Sequence, residues 1–376
     1  MAESPRTMSA VLLTGHGGLD KLVYREDVPV PRPGPGEVLI EVGACGMNNT
    51  DINTRVGWYS KTVTEGTTAE GGREGFAGVS DGGWGDSGIA FPRIQGADVC
   101  GRVVALGAGS PEALVGKRVL IDTWLRDWDD PMNVDKCSYF GSERDGGYAE
   151  FTTAPARNVH QIDSPLSDAE LASFATSYVT AENMLERAGV GDGELVLIPG
   201  ASGGVGSALI QLARRRGARP IALCGEGKAE AVREVGAEAV LARQPEDLAA
   251  ALEASIGVTE VDVVADVVGG PLWPQLIAVL RRGGRYTCAG AIAGPIVAFD
   301  LRDFYLNDLI FTGATIVPPD LFARLVGYIE RQEIRPLVAK TFALKDLAKA
   351  QEEFLEKRHI GNFVVLPQGT TAPEAT

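Results

Sequence analysis

The stretch Glu194-Leu-Val-Leu-Ile-Pro-Gly-Ala-Ser-Gly-Gly-Val-Gly-Ser-Ala-Leu-Ile-Gln-Leu-Ala-Arg-Arg-Arg-Gly217 decides the fold. An apolar run, Leu195 to Ile198, ends in Pro199-Gly200, and a helical pattern begins near Val205. Glycines at 200, 203, 204 and 206 fill the turn between them. Small residues there let the backbone turn tightly, approach a pyrophosphate and pack the helix close to the strand. The helix N-terminus then offers unpaired N–H groups and a positive dipole end to phosphates. Gly200, Ser202, Gly203, Gly204, Val205 and Gly206 are therefore candidate cofactor-binding residues.

Working outward, short apolar strands and helices alternate. Pro220 to Cys224 reads as a strand, Lys228 to Val235 as a helix, then Val261 to Ala265 and Gly284 to Gly290 as strands. Such alternation predicts a doubly wound parallel sheet, an α/β Rossmann domain. Upstream the chain is β-rich, with strand-like segments at 9–14, 22–24, 37–42, 94–107, 118–121 and 147–151. Two stretches, 60–92 and 124–146, read as irregular, and an insertion that long is a functional lid or a disordered segment. Helical patterning starts at 168–174 and continues through 181–188. Helices at 318–330 and 345–357 and a strand at 361–366 close the chain, and 368–376 reads as a disordered polar tail.

Composition bounds the function. The chain has 376 residues, room for two substantial cores, with 35 basic and 50 acidic residues for a net charge of −15. That balance argues against nucleic-acid or anionic-membrane partners. No apolar run reaches the ~18 residues of a membrane span, and Met1 to Thr7 contains no apolar signal core. Cysteines 45, 100, 137, 224 and 288 are odd in number and scattered, as in a reduced, cytoplasmic protein. The segment 308–316 is too apolar for a bare sheet edge, so a homodimer is expected.

Taken together, Gly34-Pro-Gly-Glu-Val-Leu-Ile, Ala44-Cys-Gly-Met-Asn, Gly96-Ala-Asp-Val-Cys-Gly-Arg-Val-Val, the Gly200 turn, Gly283-Gly-Arg-Tyr and Lys357-Arg-His-Ile-Gly-Asn-Phe-Val-Val resemble the medium-chain dehydrogenase/reductase superfamily over about residues 9 to 366. The resemblance implies a β-rich GroES-like catalytic domain from 1–164 and 317–376, and a Rossmann dinucleotide-binding domain from 165–316. Zinc members carry a Cys in a Cys-Gly-x-Cys-type segment and a His in a Gly-His-Glu segment. Here the matching positions are Asn48 and Ala97, with Asp98 after it, and His16, His160 and His359 stand elsewhere. The family's structural zinc takes four close cysteines, where this chain has only Cys137. No metal is expected.

The segment Cys45 to Tyr59 resembles instead the quinone oxidoreductase branch. The resemblance implies that Asn48 and Tyr59 line the pocket beside the nicotinamide. A phenol or amide N–H there could stabilise the oxygen that gains charge when hydride adds to an enone or quinone. The alternative is that Tyr59 packs under a loop and Asn48 caps a turn, and Asp51 is either part of the site or a structural hydrogen-bonding residue. Val179-Thr-Ala-Glu182 is similar to a family segment whose Thr contacts the nicotinamide, which implies that role for Thr180, although an aromatic is replaced by Glu182. For the cofactor, Glu226 lies where an NAD enzyme would bind a ribose hydroxyl. Gly225 and Lys228 resemble instead the small-residue–Glu–x–Lys run of NADP-type relatives, with Lys228 meeting the 2′-phosphate. NADP(H) is the expected cofactor, with NAD(H) open.

The expected function is thus a zinc-independent, NADP(H)-dependent reduction of a quinone or α,β-unsaturated carbonyl compound, a small-molecule substrate. The alternatives are an alcohol, aldehyde or ketone oxidoreductase of the same superfamily, or a non-catalytic dinucleotide-binding protein. Tryptophans 58, 84, 124 and 128, with Phe91 and Tyr139, fall in or beside the irregular segments, as an aromatic pocket mouth or as loop packing.

Overall fold

The computed structural model describes residues 7–68, 70–76, 78–79, 81–83 and 88–367. Trp84 and the tail 368–376 lie outside the described residues.

The N-terminal half is built around one long strand, β1 (Glu37–Met47), whose period-2 pattern buries Val38, Ile40 and Val42. It leads directly into helix α1 (Asn49–Val56). Strand β2 (Asp98–Leu106) pairs antiparallel along one edge of β1. Phe151–Pro155 pairs with residues 37–41 on the other edge. Helix α2 (Ala175–Arg187) follows.

Next comes the dinucleotide unit: β3 (Leu195–Pro199), α3 (Gly204–Arg215), β4 (Arg219–Cys224), β5 (Ala239–Ala242), β6 (Val261–Asp266), β7 (Leu280–Cys288) and β8 (Ile310–Gly313). All neighbouring strands run parallel, in spatial order β5-β4-β3-β6-β7-β8. Every residue of β3 is buried, as a strand covered on both faces requires. The order reverses between β3 and β6, so the Gly turn after β3 opens at the switch point where ligands bind such sheets. The sheet's other face packs Leu197, Ile221, Leu223, Leu276 and Trp273 into a separate core cluster.

The chain then returns to the first sheet. Helix α4 (Leu347–Leu355) precedes β9 (Asn362–Leu366), which pairs with Cys45–Met47 of β1 and, in parallel, with Val338–Ala343. This return places the 356–361 connection over the Gly turn, where the Gly361 N–H donates to Ser202 O at 3.0 Å.

The structure differs from the sequence reading in several places. The helical pattern expected from 168 through 188 is broken into a short helix, Asp168–Leu171, and α2, whose Tyr178 and Val179 are buried, with Phe174, in one core cluster. The 60–92 segment contains a helical turn, Glu70–Glu74, and 124–146 contains a short hairpin of Trp124–Leu125 with Ser138–Tyr139. Among the described residues no helix is long and apolar enough to cross a membrane.

Candidate active site

Asn48 ends β1 in extended geometry and caps α1. Asp51, in the first turn, accepts the Asn48 backbone N–H at 2.8 Å and the Tyr148 hydroxyl at 3.0 Å. Asp51 thus fixes the entry of α1 and with it the Asn48 side chain. Burial raises the Asp51 carboxyl to about 7 against those stabilising bonds. The Asn48 Oδ1 accepts the Ser177 hydroxyl at 3.2 Å. Its Nδ2 is buried with no hydrogen bond of normal geometry.

Asp98 opens β2 beside this amide. Its Oδ1 accepts the Thr176 N–H at 2.9 Å and also the Thr176 hydroxyl. The Tyr139 hydroxyl lies 2.8 Å from that same Thr176 oxygen. Burial lifts the Asp98 carboxyl to about 6, opposed by Thr176 and the nearby Asn48 amide. Sequence reasoning missed Thr176 and named Tyr139 only among the aromatics beside the irregular segments, not as part of this chain. The one available signal was an i, i+4 pairing of Thr176 with Thr180, which leaves both half-exposed on a buried helix.

Tyr59 follows α1 after Gly57, a left-handed C-cap at φ 77°. Its hydroxyl lies 3.0 Å from Thr50 Oγ1, in the first turn of α1 and two residues from Asn48. Burial pushes the phenol up to about 12, so it stays a protonated donor at neutral pH. Trp58 meets its ring edge-on at 5.6 Å.

A strap crosses from here to the Rossmann half. Trp58 Nε1 donates to Glu65 O at 2.8 Å, and the Thr67 N–H donates to Ile292 O at 3.0 Å. A Cβ on Gly66 would sit 2.4 Å from Ile292 O, so only glycine fits this crossing. The strap is anchored by Arg55, fully buried, which donates to Gly17 O at 2.7 Å, Gly72 O at 2.6 Å and Gln351 Oε1 at 2.8 Å. Trp124 packs edge-on against Tyr139 at 5.3 Å, and Trp128 lies under Arg126 and Arg157.

The Gly turn fits a dinucleotide. Gly203 caps the twelve-residue α3, whose first turn holds Gly204, Val205 and Gly206. A Cβ at Gly206 would lie 2.4 Å from Gly200 O, so the turn cannot close on a larger residue. Thr180 is half-buried, while Glu182 turns away to bond Arg216 at 2.8 Å and Tyr328 at 3.3 Å. Gly225 leaves open space, since an added Cβ there meets nothing within 4 Å. Glu226 is exposed. Lys228 is half-buried and donates to Ser202 Oγ at 3.3 Å, which joins the end of β4 to the turn. Burial lowers the Lys228 ammonium, with Arg243 adding to the effect.

Comparison with known proteins now decides the family. Residues 34–164 match the alcohol dehydrogenase GroES-like domain family, and residues 204–331 match the zinc-binding dehydrogenase family. A putative alcohol dehydrogenase from Sinorhizobium meliloti 1021 is 49% identical, with a TM-score of 0.89, over 97% of this chain and 98% of that one. The chain belongs to the medium-chain dehydrogenase/reductase superfamily. Sus scrofa quinone oxidoreductase is 26% identical over 97% of this chain and 99% of its own length. A cobalt- and zinc-bound thermostable alcohol dehydrogenase from Pyrobaculum aerophilum is 29% identical, with a TM-score of 0.79, over 96% of this chain and 100% of that one.

The superfamily assignment makes the protein an NAD(P)H-dependent oxidoreductase, which removes the non-catalytic reading. The part matched to the zinc-binding dehydrogenase family, 204–331, is the dinucleotide unit. It contains no histidine, and its cysteines, 224 and 288, stand apart on β4 and β7. At the matching ligand positions stand an amide, Asn48, and a methyl, Ala97. Among the described residues no three His, Cys, Asp or Glu side chains cluster as a metal site. This donor set does not fit a catalytic zinc, which takes about three N, S or carboxylate ligands.

Proposed function

We propose that this oxidoreductase uses NADP(H) to reduce a quinone or α,β-unsaturated carbonyl compound without zinc. The observation that carries the reading is the buried Asn48 Nδ2, which lies beside the Asp98 carboxyl at the start of α1 without a hydrogen bond of normal geometry. An orphaned buried donor is costly, and an acceptor oxygen on a ligand relieves that cost. Bound nicotinamide supplies the hydride. As hydride reaches the β-carbon, negative charge grows on the substrate oxygen, and the Asn48 amide and Tyr59 phenol donate to it. The strap from Trp58 to Thr67 shields the charge from water. Lys228, beside Ser202, meets the 2′-phosphate and favours NADP(H) over NAD(H).

The hydroxyl chain Tyr139–Thr176–Asp98 supports a second reading, an alcohol, aldehyde or ketone oxidoreductase. Such a chain offers a buried carboxylate to take an alcohol proton where no zinc lowers its pKa. Oxidation of NADPH by a panel of quinones, enones and aldehydes separates the two. Turnover of quinones or enones supports the first reading, and turnover confined to aldehydes supports the second.

The catalytic unit is proposed to be a cytoplasmic homodimer, its halves divided at 164/165 and 316/317. β8 is an edge strand, and Ile310 on it is 52% exposed, beside exposed Leu301 and Tyr305. A bare apolar edge of this kind favours pairing with a second copy.

A further inference from the structure

A cavity of about 610 Å³ is bounded by the short hairpin of Trp124–Leu125 and Ser138–Tyr139. Successive residues of a strand point to opposite faces. Trp124 and Tyr139 pair on one face of the hairpin, where the Tyr139 hydroxyl meets Thr176, while Leu125 and Ser138 line the cavity. Asn48, Tyr59, Asp98, Thr176 and the Gly turn take no part in that lining. Leu125, Pro111, Pro155, Ala156 and Trp128 make much of it apolar. Its charged groups do not cancel. Arg126, whose side chain is fully buried, is engaged by Asp122 Oδ2 at 3.2 Å and Val317 O at 2.9 Å. Lys136 is engaged by Asp127 and Asp130, at 3.5 and 3.3 Å. Arg157 remains. Among the described residues it forms no ion pair and no side-chain hydrogen bond, and its guanidinium carbon lies 5.6 Å from the centre of the Trp128 ring. Two buried polar atoms of lining residues also lack a hydrogen bond: the donor Arg126 Nε and the acceptor Asn158 Oδ1.

An apolar cavity of roughly 300–1,000 Å³ with a few polar groups is the usual form of a small-molecule site. We propose that this cavity is a second ligand site, distinct from the catalytic one, for a small organic carboxylate with an apolar body. The free guanidinium of Arg157 sets the charge of the ligand. Held over the Trp128 ring, it keeps its N–H edge for a carboxylate, which can accept two parallel hydrogen bonds from it. One carboxylate matches the one surplus cation, whereas a second negative group would meet only cations already engaged by aspartates. The body of the ligand packs on Leu125, Ala156 and Trp128, and the burial of that apolar surface adds to the affinity. Asn158 ties the cavity to the hairpin: its Nδ2 donates to Asp122 O at 3.0 Å and to Trp124 O at 2.7 Å. The inference does not depend on the reaction proposed above, because the hairpin separates the two sites.

Calorimetric titration of the full-length protein with 2-naphthoate, at saturating NADPH, tests the site. Saturable binding of one naphthoate per chain, with NADPH still bound, is expected. The uncharged 2-naphthylmethanol, which has the same ring system, should bind about tenfold more weakly or worse. Arg157→Gln should weaken 2-naphthoate by a similar factor and leave the affinity for NADPH and the rate of its oxidation unchanged. Arg157 is exposed and the change removes no contact from the core, so this variant is expected to fold. Ala156→Met reduces the space without touching the charge and should weaken 2-naphthoate and 2-naphthylmethanol alike. Absence of saturable binding overturns the proposal. So does equal affinity for the acid and the alcohol, or binding of 2-naphthoate that Arg157→Gln leaves unchanged.

Discussion

Ser177 donates its hydroxyl to Asn48 Oδ1 at 3.2 Å, and the Asn48 amide nitrogen is left buried beside the Asp98 carboxyl without a hydrogen bond of normal geometry. Ser177 is held in turn. Asn362, at the start of β9, donates to Ser173 O at 2.7 Å and to Ser177 Oγ at 3.3 Å. Three separated parts of the chain therefore converge on a single amide. A surface turn cap needs no such support, whereas a donor that must meet a developing oxyanion does.

Tyr59 is the second donor. Its loss should remove about one oxyanion contact, roughly 2–4 kcal/mol at most. Tyr59→Phe is expected to lower kcat about tenfold or more with NADPH affinity unchanged, and Asn48→Ala to act in the same direction. Steady-state kinetics with the best acceptor, beside a fluorescence titration of NADPH, measures both quantities. Unchanged kcat in Tyr59→Phe would return the tyrosine to packing against Trp58.

Lys228→Ala should weaken NADPH binding by about 1–2 kcal/mol, the scale of a charge-assisted hydrogen bond, and leave NADH binding nearly unchanged. Equal loss for the two cofactors would shift Lys228 from the 2′-phosphate to a contact that both share. A wild-type preference for NADH would assign the ribose to Glu226.

Stability should report the buried carboxyl at Asp51. Its folded value, about 7, lies above the ordinary carboxylate range, so the folded state binds more protons than the unfolded state between about pH 4 and 7. The contribution of this group to stability is therefore lost as pH rises through that window. Asp51→Asn keeps an acceptor for Asn48 and Tyr148 but cannot ionise. Denaturant unfolding should show the variant gaining on wild type from pH 4 to pH 7. A difference that does not change with pH would show that Asp51 titrates normally.

The Rossmann half was legible because glycine marks it. The turn at 200–206 must approach phosphate closely, and Gly206 has no room for a Cβ. Asn48, Tyr59 and Lys228 could be named from local segments. Thr176 and the part Tyr139 plays in the hydroxyl chain could not, since each matters through a contact with a residue distant in sequence: Asp98 and Thr176. Strand β5 and helix Leu248–Ile256 escaped notice because alanine supplies much of both and blurs any apolar period. The 60–92 segment looked structureless because its order comes from a distant anchor. Arg55 holds Gly72 and Gln351 together with no local motif to announce it.

The central claim is hydride transfer without a metal, and one experiment tests it most directly. Purified enzyme is assayed for zinc by elemental analysis, dialysed against a strong chelator, and assayed again for NADPH oxidation with its best acceptor. With an amide at Asn48 and a methyl at Ala97, the result expected is no stoichiometric zinc and undiminished turnover after chelation. Stoichiometric zinc, removed by the chelator together with the activity and restored with it, would contradict the account.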